Sequence, residues 1–159
     1  MAQTDSSDGA KVRFPPPLVA ILSLLLGVAL GYVRRMPPMP IAGAARIALG
    51  VAIIIAGIVP AAWARIHFIR TGQSVIPWKP TPELIFGGPY RYTRNPMYVG
   101  LALMQIGIGI AFDNLWIALL ALVTLVIIHV IAVGPEEAYL AQKFGDPYRQ
   151  YMTRVRRYI

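Results

Sequence analysis

The chain contains no cysteine, and only seven of its 159 residues are acidic. The missing cysteines exclude disulfides, thiolate metal sites and a thiol nucleophile. Histidine is scarce as well: His67 and His129 lie far apart and do not by themselves make a metal site. Polar surface is the largest shortage, with 57% of residues hydrophobic and 14% charged. A soluble protein of this size has too little interior to hide that much apolar side chain. What stands in its place is a set of long apolar runs with 14 glycines and 14 prolines, a mixture that lipid and neighbouring helices tolerate. The composition reads as one integral membrane domain. A net charge of +8 is compatible with nucleic acid, but the bases sit at segment ends rather than in one soluble patch. The expected partner is therefore the lipid bilayer, with no nucleic acid.

Four uncharged runs carry the fold: Leu18–Val33, Ile47–Ala64, Pro96–Phe112 and Leu115–Gly134. At 16 to 20 residues each, they lie at the short end of what crosses a hydrocarbon core. Only Asp113 and Asn114 separate the last two, which predicts a tight helical hairpin. Residues 1–13 read as a disordered N-terminus and 14–159 as a single membrane domain. Over residues 135–157 the pattern predicts two short amphipathic helices, the first opening at Gly134-Pro135 and ending at Gly145. The fold class expected is all-α and polytopic, with about four transmembrane helices and an amphipathic C-terminal tail. With both termini in the cytoplasm, twelve bases fall inside and three (Arg34, Arg35 and Arg46) outside. That asymmetry supports this orientation, in a membrane of the bacterial inner-membrane kind.

The polar residues gather at one end. Antiparallel packing of the hairpin sets the start of the third span, near Asn95–Tyr98, beside the end of the fourth, near His129–Glu137. Arg91 and Arg94 suit a carboxylate or phosphate. Tyr90, Tyr92 and Tyr98 suit a flat ring or a cation. Glu136 suits an amine or ribose hydroxyls. His129, seven residues before Glu136, falls on the same face of a regular helix and is the titratable base candidate. Glu137 reads as a first-turn acid favoured by the helix dipole. Arg149, Arg154, Arg156 and Arg157 read as headgroup contacts.

Two stretches, "GGPYRYTRNPMYVG" and, about 40 residues on, "EEAYLAQKFGDPYRQYMTRV", resemble the isoprenylcysteine carboxyl methyltransferase and phospholipid methyltransferase superfamily. The family pattern is G-x-Y-x-x-x-R-H-P-x-Y-x-G, then a hairpin, then E-E-x-x-L-x-x-x-F-G-x-x-Y-x-x-Y-x-x-R-V. The likeness runs from residue 84 to residue 157, about half of the chain. It implies a membrane methyltransferase using S-adenosyl-L-methionine on a lipophilic or small membrane-accessible acceptor. It also implies cofactor contacts at Leu84, Ile85, Tyr90, Asn95, Pro96, Met97, Tyr98 and Glu136. To these the chemistry of the side chains adds Arg91 on the cofactor, with Arg94 and His129 as catalytic candidates. Asn95 stands where the family has histidine, and asparagine cannot take a proton near neutral pH. Ala132 stands where the prenylcysteine enzymes carry a substrate-holding arginine, so the prenylcysteine substrate is not carried over. Two rivals remain open: an NADPH-dependent reductase of the sterol type, and a non-catalytic scaffold.

Overall fold

A computed structural model describes residues 9–12, 14–74, 76 and 78–158. Among them there are helices and turns and no strand. α1 runs Pro16–Val33, α2 Gly43–Arg70, α3 Pro96–Ala111 and α4 Leu115–Ile128. A π-helical turn, His129–Val133, joins α4 without a break to α5, Gly134–Phe144; α6 comes next at Asp146–Arg154. α1, α2 and the continuous Leu115–Phe144 helix are long and apolar enough to cross a membrane. α3, with 16 residues, is shorter, roughly 24 Å at 1.5 Å per residue.

The bundle is ordered α2, α3, α4, α1, and its interior is built from small residues. Gly50, Gly57 and Ala64 recur every seven positions on the buried face of α2. Gly50 and Gly57 meet Gly107 and Gly100 on α3: a Cβ on Gly57 would lie 2.6 Å from the Gly100 carbonyl oxygen. Backbones approach this closely only where side chains are missing, which is how helices associate when lipid removes the hydrophobic drive. The large apolar residues point outward instead, with Leu25 57% and Val126 64% exposed. Such an outside is stable in hydrocarbon and nowhere else.

Polar staples hold the spans in register. Gln105 Nε2 donates to Ser23 Oγ at 3.0 Å and to the Ile117 carbonyl at 3.3 Å, linking α3 to α1 and α4. Asn114 caps α4 by accepting from Ile117 N–H at 3.3 Å and donates to the Gly27 carbonyl of α1 at 3.1 Å. Asp113 makes the hairpin turn at φ 54° and pairs with Arg46 at 3.0 Å.

The structure departs from the sequence expectation in two places. Pro135 does not open a new helix, because the π turn accommodates it: Gly134 N–H reaches back five residues to the His129 carbonyl. That wider turn loosens the i to i−4 ladder in which a proline ring would otherwise clash. Of the N-terminal segment expected to be disordered, residues 1–8 and Arg13 lie outside the described residues. Residues 9–12 pack against the bundle, with Ala10 3% exposed.

Candidate functional site

Beyond α2 the chain loses its apolar pattern and folds over one end of the bundle. Gly88 begins a 3-10 turn, Gly88–Arg91, at φ 59°. Any side chain there would be strained by the backbone and would collide with the imidazole of His67, so only glycine fits. The turn drives Tyr90 inward to 8% exposure, edge-on to Phe68 with ring centroids 5.9 Å apart. Tyr151 Oη donates to the Tyr90 carbonyl at 2.7 Å, tying α6 to the turn. Pro96 then starts α3 in the first helical position, where a missing N–H costs nothing.

A cleft of about 860 Å³, measured out to the solvent at its mouth, lies between this turn, α3, α5, α6 and the segment after α2. Its walls are mostly apolar and aromatic, and few charged groups face it. Across its centre Tyr98 Oη donates to Glu136 Oε1 at 2.5 Å, joining the start of α3 to the start of α5. Arg94, its side chain 10% exposed, approaches Glu137 Oε1 to 3.2 Å. That approach is an ion pair without hydrogen-bond alignment, since neither Nε nor Nη1 of Arg94 has a hydrogen-bond partner. Gln73, 7% exposed, carries a second unmatched group: both Nε2 and Oε1 are buried with no protein partner. Buried polar atoms left without partners are costly, at about 1–3 kcal/mol each, and need a reason.

Two buried phenols of the cleft stay neutral. Burial lifts the Tyr90 hydroxyl far above its ordinary range, with smaller upward contributions from Tyr151 and Glu136. Tyr148, 3% exposed, is pushed up to about 12, first by burial and then by the Glu137 charge, against an opposing pull from Arg94. The cleft therefore combines neutral aromatic rings with the Glu136 carboxyl and the Arg94 guanidinium. It suits a ligand bearing both a cationic and an anionic end beside a flat polar group.

Most of the residues singled out in the sequence meet here: Leu84, Ile85, Tyr90, Arg94, Asn95, Pro96, Met97, Tyr98 and Glu136 all line the cleft. Three do not. Arg91 and Tyr92 are exposed and absent from the lining, Tyr92 at 72%. His129 is absent from the lining, and its Nδ1 lies 2.9 Å from Tyr158 Oη. The π turn supplies the reason: one extra residue in a turn rotates the helix beyond it by roughly 100° and removes His129 from the Glu136 face. Asn95 caps nothing; its Nδ2 donates to the Arg157 carbonyl at 3.1 Å. Arg157, read as a headgroup contact, turns inward to Glu137 at 2.7 Å. Gln73 and Ala10 went unnoticed in the sequence: Gln73 lies between a helix end and a proline-rich loop, with no periodic pattern to flag it.

A polytopic helical bundle with an aromatic, sparsely charged cleft at one end of its spans defines the class: an integral membrane protein. Comparison supplies the family. The chain belongs to the phospholipid methyltransferase family, whose model matches residues 45–147, more than half of its length. It is also similar to the Schizosaccharomyces pombe Protein-S-isoprenylcysteine O-methyltransferase, 36% identical over 72 residues. That likeness covers 45% of this chain and 30% of the yeast protein, less than a third of the relative's length. An uncharacterized protein of Haemophilus influenzae is 33% identical over 63 residues, 40% of this chain and all of that protein. No solved structure matches.

Proposed function

We propose that this chain is an S-adenosyl-L-methionine-dependent methyltransferase acting on a lipophilic acceptor reached from the membrane. The observation that carries the reading is the pairing of unmatched buried groups with the Tyr98–Glu136 bond in one cleft. The residues fit the cofactor's chemistry group by group. Arg94, which lines the cleft and keeps Nε and Nη1 without hydrogen-bond partners, offers its charge to a carboxylate. Glu136 offers a carboxyl to an amine, and the rings of Tyr90, Tyr98 and Tyr148 favour a fixed positive charge. Gln73 presents a donor and an acceptor side by side, the pattern that matches the edge of a nucleobase. Leu84, Ile85, Pro96 and Met97 supply apolar wall.

When bound, S-adenosylmethionine supplies an already electrophilic methyl group. The chain's part is then to hold, orient and exclude water, and proximity of this kind contributes much of the acceleration. Asn95 cannot accept a proton, and no imidazole lines the cleft among the described residues. This supports an acceptor that arrives as an anion, such as a carboxylate or thiolate, over one that must first be deprotonated by histidine. The positive-inside bias supports a cleft facing the cytoplasm of a bacterial inner membrane, with both termini on that side.

S-adenosylhomocysteine should raise the unfolding temperature of the detergent-solubilised protein, and labelled methyl should appear in a component of a total lipid extract. Protection by NADPH instead would transfer the site to a reductase. Protection by neither would leave a scaffold.

A further inference from the structure

The end of the chain is bound to the cleft from behind. After α6 the backbone becomes extended, with Val155 at φ −118° and ψ 129°, and runs back across the start of α3. The Arg156 carbonyl accepts from Arg94 N–H at 3.0 Å. The Arg157 carbonyl accepts from Thr93 Oγ1 and from Asn95 Nδ2, each at 3.1 Å. The Arg157 side chain turns to α5, with Nε 3.1 Å from both oxygens of Glu137 and Nη2 2.7 Å from Oε2. Tyr158 reaches the π turn at His129. One short extended segment thus ties two walls of the site, the start of α3 and α5, to the π turn behind them.

Glu137 is 9% exposed and sits between two arginines that use it differently. Arg157 takes it side-on as a fork, the stronger geometry for a guanidinium and a carboxylate. Arg94 is left an off-line approach to Oε1 and keeps Nε and Nη1 without hydrogen-bond partners. Were Arg157 not in that position, the buried carboxylate would be open to a fork from Arg94. The guanidinium would then turn fully to Glu137 and withdraw its unmatched N–H groups from the cleft.

We propose that Arg157 is a positioning residue: by occupying Glu137 from the C-terminal segment, it keeps the guanidinium of Arg94 presented to the anionic end of the bound ligand. The inference rests on the proposed S-adenosylmethionine site. Arg157→Ala in the full chain should weaken S-adenosylhomocysteine binding about tenfold, and Arg157→Lys, which keeps the charge without the fork, should restore only part of it. KM for the methyl donor should rise in parallel while kcat changes less than about twofold. In an Arg94→Lys background the same Arg157→Ala change should cost less than about twofold, because the group it acts through is already altered. An undiminished loss in that background overturns the proposal, as does wild-type affinity in Arg157→Ala. If Arg157→Ala fails to fold, wild-type affinity in Arg157→Lys overturns it equally. If the wild-type protein itself does not bind S-adenosylhomocysteine, the cofactor proposal falls, and hydrogen exchange decides the segment's role. The Arg94 amide, bonded to the Arg156 carbonyl, should exchange faster in Arg157→Ala; an unchanged rate sinks the proposal.

Discussion

The phenol of Tyr98 and the carboxyl of Glu136 stand 38 residues apart in sequence and 2.5 Å apart in space. This bond closes the helical hairpin at its open end, opposite the Asp113 turn. Tyr98 needs its position in the first turn of α3, which Pro96 fixes by starting the helix. Glu136 needs the start of α5, whose direction is set by the π turn. The bond therefore reports on both elements at once.

Removing one partner should separate binding from folding. Tyr98→Phe leaves the Glu136 carboxyl with an unmet hydrogen bond in a largely dry site, at a cost of about 1–3 kcal/mol. Glu136→Ala removes the acidic wall altogether. Both variants should still insert and give a helical circular dichroism spectrum, and both should lose the thermal shift produced by S-adenosylhomocysteine. A wild-type shift in either variant refutes the site assignment.

Gln73 should show the reverse balance. Its amide is buried without protein partners, so replacing it with an apolar residue removes a penalty. Gln73→Leu should hold or raise the ligand-free unfolding temperature while weakening S-adenosylhomocysteine binding about tenfold. Paired thermal melts with and without that ligand measure both. A variant that loses stability and keeps affinity would make Gln73 a structural residue.

The glycine contact between α2 and α3 should be intolerant of size. A Cβ on Gly57 meets the Gly100 carbonyl oxygen at 2.6 Å and Leu103 Cβ at 3.0 Å, both held by rigid helix. Gly57→Val should force the two helices apart and cost about 2–4 kcal/mol, read as lost monodisperse protein in detergent gel filtration. Gly43→Ala, at a site with nothing within 4 Å, should behave as wild type.

Alkali should unfold the protein through its tyrosines. Burial raises the Tyr148 pKa from 10.0 to about 12, so the neutral phenol is favoured in the folded state. The unfolded chain ionises first as pH rises. The stabilising contribution is accordingly full below pH 10 and is lost between pH 10 and about 12. Thermal melts across that window should fall steeply, and Tyr148→Phe should flatten part of the fall.

The sequence by itself determined the all-helical membrane fold, the apolar runs that build it and the hairpin at Asp113-Asn114. Hydropathy and helical length are local properties that a bilayer reads directly, so no tertiary information was needed. Hairpin geometry likewise brought Tyr90, Tyr98 and Glu136 together as one group, and the family resemblance of the two motifs added Asn95 and Pro96. Tertiary structure decided the rest. A π turn has no residue signature beyond a proline that a regular helix would reject, yet it rotated His129 out of the cleft. Arg157 looked like any tail cation until Glu137 was folded beneath it. Gln73 acquired its meaning only from a dry environment made by segments distant in the chain. Charge and hydrogen-bonding partners depend on where the backbone finally lies, and that position is settled by glycine faces meeting across helices.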